Sequence, residues 1–514
     1  MNADNTPVIV GVGQFTEHLD SPDYSALPPQ HLAATAAAAA LADTGVDGLA
    51  EKVDCLAAVP LVVDSVADKI KALVAPFGAP DLFPRAVTHQ LGVSPVATLY
   101  SAACGNEPQR LVAEMGEAIA RGEHSLVILC GAEAAASQRH AQRNGQALDW
   151  TDHSDGACEV RDPGFTALQT QHMADNGLLR PVEIYPLFEH ARRSRLGASR
   201  EDYNAQMGAL FARYNKVAVD NEFAMSRKAL SADDIATVSP GNRLIADPYP
   251  KHMVARDGVN QGAAVLLTSV GRAREMGIDE SQWVYLHGHA DTKEQGIDQR
   301  PDLGASPAMV AAYTSALSRA GVSLDEVSYF DLYSCFPIAV FSAMDGLGLS
   351  INDPRPLTVT GGLPFFGGPG NNYSMHAIAS MIEQLRQDPG SFGVVGANGG
   401  FLSKHSAGVY STTPLASWQP FDSSALQQQL DDVSPVAFTE RPEGEGVVET
   451  YTVLPGPQGY RGIVVGRLAA NNERFLAVTD PDDSAVGERL ESDDLLGVSG
   501  QVSVVERGNR FRFG

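Results

Sequence analysis

The chain states one structural pattern twice, and that repeat limits the folds open to it. Residues 7–13, PVIVGVG, read as a strand; the helical AATAAAAALADTGV and the strand-like VDCLAAVP follow. Residues 283–289, WVYLHGH, begin the same order again, with AMVAAYTSALSRAGV and then VSYFDLYSCFP. The parallel continues from VATLYSAACGNEPQRLVAEMGEAIARGEHSLVILCGAE to TVTGGLPFFGGPGNNYSMHAIASMIEQLRQDPGSFGVVGANGG. Each is a strand, a turn rich in Gly and Asn, a helix and a buried strand. A duplication in this order predicts two α/β halves facing each other across a pseudo-twofold. A site where they meet would take residues from both.

With 514 residues the chain exceeds one hydrophobic core. The first half is read over 1–275, with a polar insertion at about 138–255. The second half is read over 276–418. Short alternating segments separated by PGPQG, NNE, DPDD and ERGN fill 430–514 and predict a small antiparallel, OB-like β-barrel. The expected class is therefore α/β, a duplicated layered α-β-α-β-α unit plus a C-terminal barrel. We expect that barrel to fold separately and to be released by proteolysis between about 415 and 435.

The net charge of −25 argues against a nucleic-acid partner. The amino terminus lacks a basic segment leading into an apolar one, and no apolar run reaches about 18 residues. A cytoplasmic protein without a membrane partner is expected. The cysteines, Cys55, Cys104, Cys130, Cys158 and Cys335, form no CxxC pair, so neither a disulfide framework nor a metal site is indicated.

Cys104 stands just before a helix that opens at about Glu107-Pro108. The positive helix end favours thiolate there, as a nucleophile needs. The other reading of Cys104 is a small buried hydrophobe. Cys335 ends the matching strand of the second half, and Tyr333, two residues earlier, shares its face. His376 and His405 follow Gly-rich turns and are candidate acid/base groups. Backbone N–H groups in the turns at Gly361-Gly362, Gly367-Gly368 and Gly399-Gly400, with Asn371 or Asn398, are candidates for stabilising an oxyanion. Cys55 and Cys130 read as core.

These residues resemble the thiolase superfamily over about residues 5–418. The likeness rests on the duplicated halves, the strand–Cys–helix of SAACGNEPQ, the segment DGVNQGAAVLLTS, the strand DLYSCF and the pair GGLPFFGGP…NGG. It is nearest to sterol-carrier-protein-type thiolases and their bacterial relatives labelled acetyl-CoA acetyltransferase, which carry an additional C-terminal barrel. The resemblance implies a duplicated thiolase fold that makes or breaks a carbon–carbon bond beside a CoA thioester. CoA is then substrate, with no further cofactor and no metal. Cys104 is implied as nucleophile, with Cys335, His376, His405 and Tyr333 in the chemistry. Asn106, Asn371, Asn372, Tyr373, Asn398 and Gly399 would meet the substrate. Arg213, Lys216 and Lys251 in the insertion would meet CoA phosphates. Ordinary thiolases dimerise, whereas a fused barrel could cover that surface, so homodimer and monomer both stay open.

The motifs also depart from the family. YSCF stands where HDCF is usual, so Tyr333 and Ser334 replace His and Asp. GGP stands where GHP is usual, so Gly368 replaces the activating His, and GANGG lacks the CxG cysteine. CGNEP in place of Cys-x-[ST]-Gly leaves two registers, with Cys104 or Gly105 at the nucleophile position. Tyr333 resembles the tyrosine of the superfamily's steroid side-chain aldolases, which work with a separate β-barrel protein. The alternatives to an acyltransferase are thus a retro-aldolase acting on a 3-hydroxyacyl-CoA and a CoA-ester-binding protein without catalysis.

Overall fold

The computed structural model describes residues 3–161, 169–415, 417–456, 459–480, 485–492 and 494–513. The first half runs β1 (Pro7–Thr16), α1 (Pro29–Asp43), β2 (Cys55–Ala58), α2 (Asp68–Val74), α3 (Phe83–Leu91), β3 (Ala97–Tyr100), α4 (Glu107–Ala120), β4 (Leu126–Glu133), α5 (Ala135–Arg143) and β5 (Glu159–Val160). The insertion carries α6 (Gln171–Asp175), α7 (Pro181–Leu196), α8 (Arg200–Asp220), α9 (Ala232–Ala236) and a hairpin of β6 (Leu244–Ala246) and β7 (Tyr249–Pro250). The chain then returns to the first sheet as β8 (Gln261–Ser269), followed by α10 (Val270–Met276). The second half holds β9 (Tyr285–Lys293), α11 (Pro307–Ala320), β10 (Val327–Asp331), α12 (Pro337–Leu347), α13 (Tyr373–Gln387), β11 (Phe392–Gly399) and β12 (Lys404–Ser411).

The repeat read in the sequence is a repeat in space. Strands β2-β4-β8-β1 of the first sheet and β10-β11-β12-β9 of the second lie in the same order. The first pair in each run is parallel and the others antiparallel. The counterpart of β3 is irregular: the Phe330 and Leu332 amides donate to the Pro356 and Leu357 carbonyls at 3.1 and 3.0 Å. Helices α4 and α13 pack on each other and on strands of both sheets, forming the middle layer. Helices α1 and α11 cover the outer faces. Small residues allow their close approach: a Cβ on Gly11 or Gly13 of β1 would collide with the Ala40 or Ala36 carbonyl of α1. Gly288 of β9 faces the Ala316 carbonyl of α11 in the same way.

After α14 (Ser424–Asp431) come β13 (Gly444–Gly456), β14 (Gly459–Leu468), β15 (Arg474–Thr479), α15 (Ala485–Ser492), β16 (Ser499–Val504) and β17 (Asn509–Phe513). The strands close in the order β13-β14-β15-β17-β16, with α15 between the third and fourth strands in sequence. Val453, Phe475 and Phe511 help fill the barrel's own core. Leu454, Ile463, Val465, Leu476 and Val478 instead join the apolar cluster of the two halves. Arg474, with no exposed surface, donates to the Ile297 carbonyl at 3.1 Å, to the Arg300 carbonyl, and to Glu449 at 2.6 Å. Arg193 of α7 pairs with Asp494 at 2.5 Å. The barrel, expected to fold separately, has a core of its own and also packs an outer apolar face into the core of the two halves.

Among the described residues, no helix is long and apolar enough to cross a membrane, and no cluster of His, Cys, Asp and Glu is placed to hold a metal ion.

Candidate functional site

The site forms where α4 of the first half meets the ends of β10, β11 and β12 of the second. Cys104 lies in the turn between β3 and α4, 1% exposed, with φ at 153°. A non-glycine residue held there costs on the order of 1–3 kcal/mol, so the surroundings must enforce it. They do so by close packing. A Cβ on Gly399 would lie 2.6 Å from Cys104 Cβ and 2.5 Å from Asn106 Oδ1. A Cβ on Gly105 would lie 2.5 Å from both Tyr333 Oη and the Asn398 carbonyl. Gly105 is thus a packing glycine, and Cys104 supplies the side chain at the junction.

Lys404 is the direct register partner of Gly399, and opposed residues on an antiparallel ladder project from the same face. Its ammonium stands beside the Cys104 thiol, within hydrogen-bonding reach. Behind it, Asn398 Nδ2 donates to Tyr185 Oη at 2.9 Å and lies 3.7 Å from Cys335 Sγ. Tyr185 Oη also accepts the Leu402 amide at 3.0 Å, and its ring stacks on Phe336 at 4.4 Å. Tyr333 meets Tyr373 edge-on at 5.3 Å, while Tyr373 Oη pairs with Thr360 at 2.7 Å and Asp331 at 3.0 Å.

Burial raises the Cys104 thiol above its ordinary value; the Lys404 ammonium and the Gly400 amide pull it back, and Glu107 adds to the rise. The expectation that the helix end alone would favour thiolate is corrected here. Burial is the largest influence on the thiol, and the Glu107 carboxylate in the first turn of α4 opposes the positive helix end. Burial pushes the Cys335 thiol up to about 12. Burial, and then the neighbouring Cys335 and Cys104, push Tyr333 well above the phenol range. Both groups remain protonated donors at neutral pH. Cys55 and Cys130, in core strands, are likewise pushed up to about 12 by burial.

The histidines lie elsewhere. His376 sits one turn inside α13, with Nδ1 2.9 Å from Gln14 Oε1 and its ring 5.1 Å from Phe366. The residue matching Cys104 before α13 is Gly370, so His376 is not on the equivalent turn. Burial drives it down to about 3, leaving a neutral core imidazole. His405 is the register partner of Asn398; its Nε2 lies 3.2 Å from Ser306 Oγ, and burial and then Arg300 bring it to about 3.

The asparagines of the 370 turn tie the halves together. Asn371 Nδ2 donates to the Pro60 carbonyl at 2.8 Å and Asn372 Nδ2 to the Gly131 carbonyl at 2.6 Å. Asn106 Nδ2 reaches Ser406 Oγ at 3.4 Å, and its Oδ1 is unpartnered among the described residues. Arg213 donates to the Ile351 carbonyl, and to those of Asp353 and Arg355 at 2.6 and 2.9 Å, so it braces the fold. Lys216 and Lys251 are exposed on the insertion.

Sequence reading missed Lys404 and Tyr185. Lys404 follows the Gly399-Gly400 turn next to His405, but only the ladder register shows which of the two faces Cys104. Nothing local in α7 marks Tyr185.

Residues 425–507 match the family model described as the thiolase-like protein type 1 additional C-terminal domain. The whole chain superposes on the whole of a monomeric SCP2-thiolase-like protein type 1 from Mycobacterium smegmatis, with 40% sequence identity and a TM-score of 0.84. The chain belongs to the SCP2-thiolase-like protein type 1 family. As an SCP2-thiolase-like protein it shares its fold with more distant structures. The Ltp2-ChsH2(DUF35) aldolase is 19% identical, with a TM-score of 0.58 over 80% of this chain and 98% of that one. Acetyl-CoA acetyltransferase 1 of Arabidopsis thaliana is 30% identical over 145 residues, 28% of this chain. The chain thus matches about a third (32%) of that curated relative.

Proposed function

We propose that this SCP2-thiolase-like protein binds a CoA thioester between its halves and takes the acyl group onto Cys104. The carrying observation is one strained cysteine met from the opposite half by Lys404 and Tyr333, with Cys335 beside Tyr333. Cys104 rests as a thiol, and the Lys404 ammonium would stabilise the negative charge that develops on its sulfur as the proton leaves. That sulfur attacks the acyl carbonyl, with Tyr333 and the Gly400 amide donating to the developing oxyanion. With a simple acyl-CoA, the C–S bond to CoA breaks and the Cys104 proton leaves on the CoA thiol. With a 3-ketoacyl-CoA, the sulfur attacks the 3-keto carbonyl, the Cα–Cβ bond breaks, Cys335 protonates the released carbon, and the proton lost by Cys104 restores the Cys335 thiol. The exposed Lys216 and Lys251 are proposed to face the CoA phosphates, and the cytoplasm is the proposed compartment.

A retro-aldolase reading draws on Tyr333 and on the shared fold of the aldolase. It needs the phenol as a base, and its buried, raised state makes it a donor instead. The test is intact-protein mass after incubation with acetyl-CoA and with longer 3-ketoacyl-CoA esters. An acyl adduct that Cys104→Ser abolishes supports the proposal. Absence of any adduct, with Tyr333→Phe abolishing cleavage of a 3-hydroxyacyl-CoA, replaces it with the aldolase. Binding without either reaction replaces it with a CoA-ester-binding protein.

A further inference from the structure

The pseudo-twofold maps the Cys104 junction onto a second place in the molecule. Matching the ladders and the middle helices pairs Cys104 with Gly370, Gly399 with Glu133 and Cys335 with Leu61. There glycine and side chain exchange roles: a Cβ on Gly370 would lie 2.6 Å from Glu133 Oε1 and 2.8 Å from a Val62 methyl. These residues open onto a cavity of about 380 Å³, within the range of small-molecule sites. Leu61, Val63, Val74, Ala135 and Trp150 make much of its wall apolar.

One ionisable side chain on this wall lacks an opposite charge. Glu133 Oε1 accepts the Val62 amide at 2.7 Å, and its Oε2 has no hydrogen-bond partner among the described residues. The other charges on the wall, Arg139 and Asp257, pair with each other at 2.5 Å. Burial, with nearby Asp64 adding to it, brings Glu133 to about 7. At neutral pH its carboxyl therefore exists in good part as the acid, which can both donate and accept a hydrogen bond.

We infer that this cavity is a second ligand site, taking an uncharged apolar molecule that carries one hydroxyl group, with that hydroxyl on Glu133. A plain hydrocarbon would leave the free carboxyl oxygen without a partner. An anion would meet the carboxyls of Glu133 and Asp64, of which Asp64 alone has a neighbouring cation, Lys71. The inference does not rest on chemistry at Cys104.

Calorimetric titration of the full-length protein with 1-octanol tests it. Saturable binding is expected, kept by Glu133→Gln, which retains a donor and an acceptor, and weakened at least tenfold by Glu133→Leu. Ala135→Phe, which fills the cavity, should abolish it, and Cys104→Ser should leave it unchanged. Octanoate should bind more weakly than octanol, increasingly so as the pH rises through 7. No saturable octanol binding, octylamine binding more tightly than octanol, or wild-type binding by a folded Ala135→Phe protein would each overturn the inference.

Discussion

Gly399→Ala is the smallest change that tests how Cys104 is held. Gly399 lies in the β11 ladder outside the left-handed region, so the backbone accepts alanine. The only obstacle is the facing atoms. The new Cβ would stand 2.6 Å from Cys104 Cβ, where carbon atoms prefer about 3.5–4.0 Å. The turn carrying Cys104 must therefore retreat by about 1 Å, at roughly 1–3 kcal/mol of overpacking cost. Asn106 Oδ1, at 2.5 Å, can rotate, but the Cys104 Cβ is fixed by its backbone. A reactive group displaced by about 1 Å loses on the order of 10²-fold in rate. Acylation of Cys104, followed by intact mass against time, should slow by about that factor. Circular dichroism should show a folded protein of slightly lower melting temperature. A Gly399→Ala protein acylated at the wild-type rate would refute the idea that this contact positions the thiol.

Three further outcomes follow from other parts of the molecule. Arg474→Met leaves the Ile297 and Arg300 carbonyls and part of Glu449 unpaired; a loss of about 3 kcal/mol is expected, with faster proteolysis between 417 and 443, and unchanged resistance would contradict the shared core. Glu189, fully buried against Tyr203 and Tyr249, is raised by burial to about 7, against the lowering effect of the tyrosines and Arg192. Its folded value exceeds its ordinary one, so its stabilising contribution is complete below about 4.5 and is lost as pH rises through 7. Glu189→Gln should thus gain on the wild type by up to ~3 kcal/mol across that window, measured by urea unfolding at several pH values; a gap independent of pH would disprove it. Finally, β5 covers the outer edge of β3, removing a free strand for pairing, so sedimentation equilibrium should report a monomer and a stable dimer would show that another surface associates.

The fold was legible because its signals are local and occur twice. Alternating and continuous apolar runs, Gly-rich turns and alanine-rich helices fix each element from its own residues, and the repeat fixes their order. The short strands after residue 430 announced a barrel for the same reason. The candidate site was legible as far as Cys104, Tyr333 and Cys335, with Asn106, Asn398 and Gly399 beside them, because these stand at strand and helix ends that the pattern locates.

Which neighbours reach them is a matter of register and packing between residues far apart in the chain. Lys404 faces Cys104 because β12 pairs with β11 at Gly399, whereas its neighbour His405 pairs with Asn398. His376 looked like an acid/base group beside a Gly-rich turn, yet one helical turn further along α13 places it against Gln14 and Phe366. The barrel read as separable because its own pattern is self-contained, while the apolar face it shares with the halves comes only from docking. Local pattern thus determined the elements and their duplication; the tertiary structure alone decided burial, and with it the protonation of the buried thiols and phenol at the candidate site and of the buried imidazoles outside it.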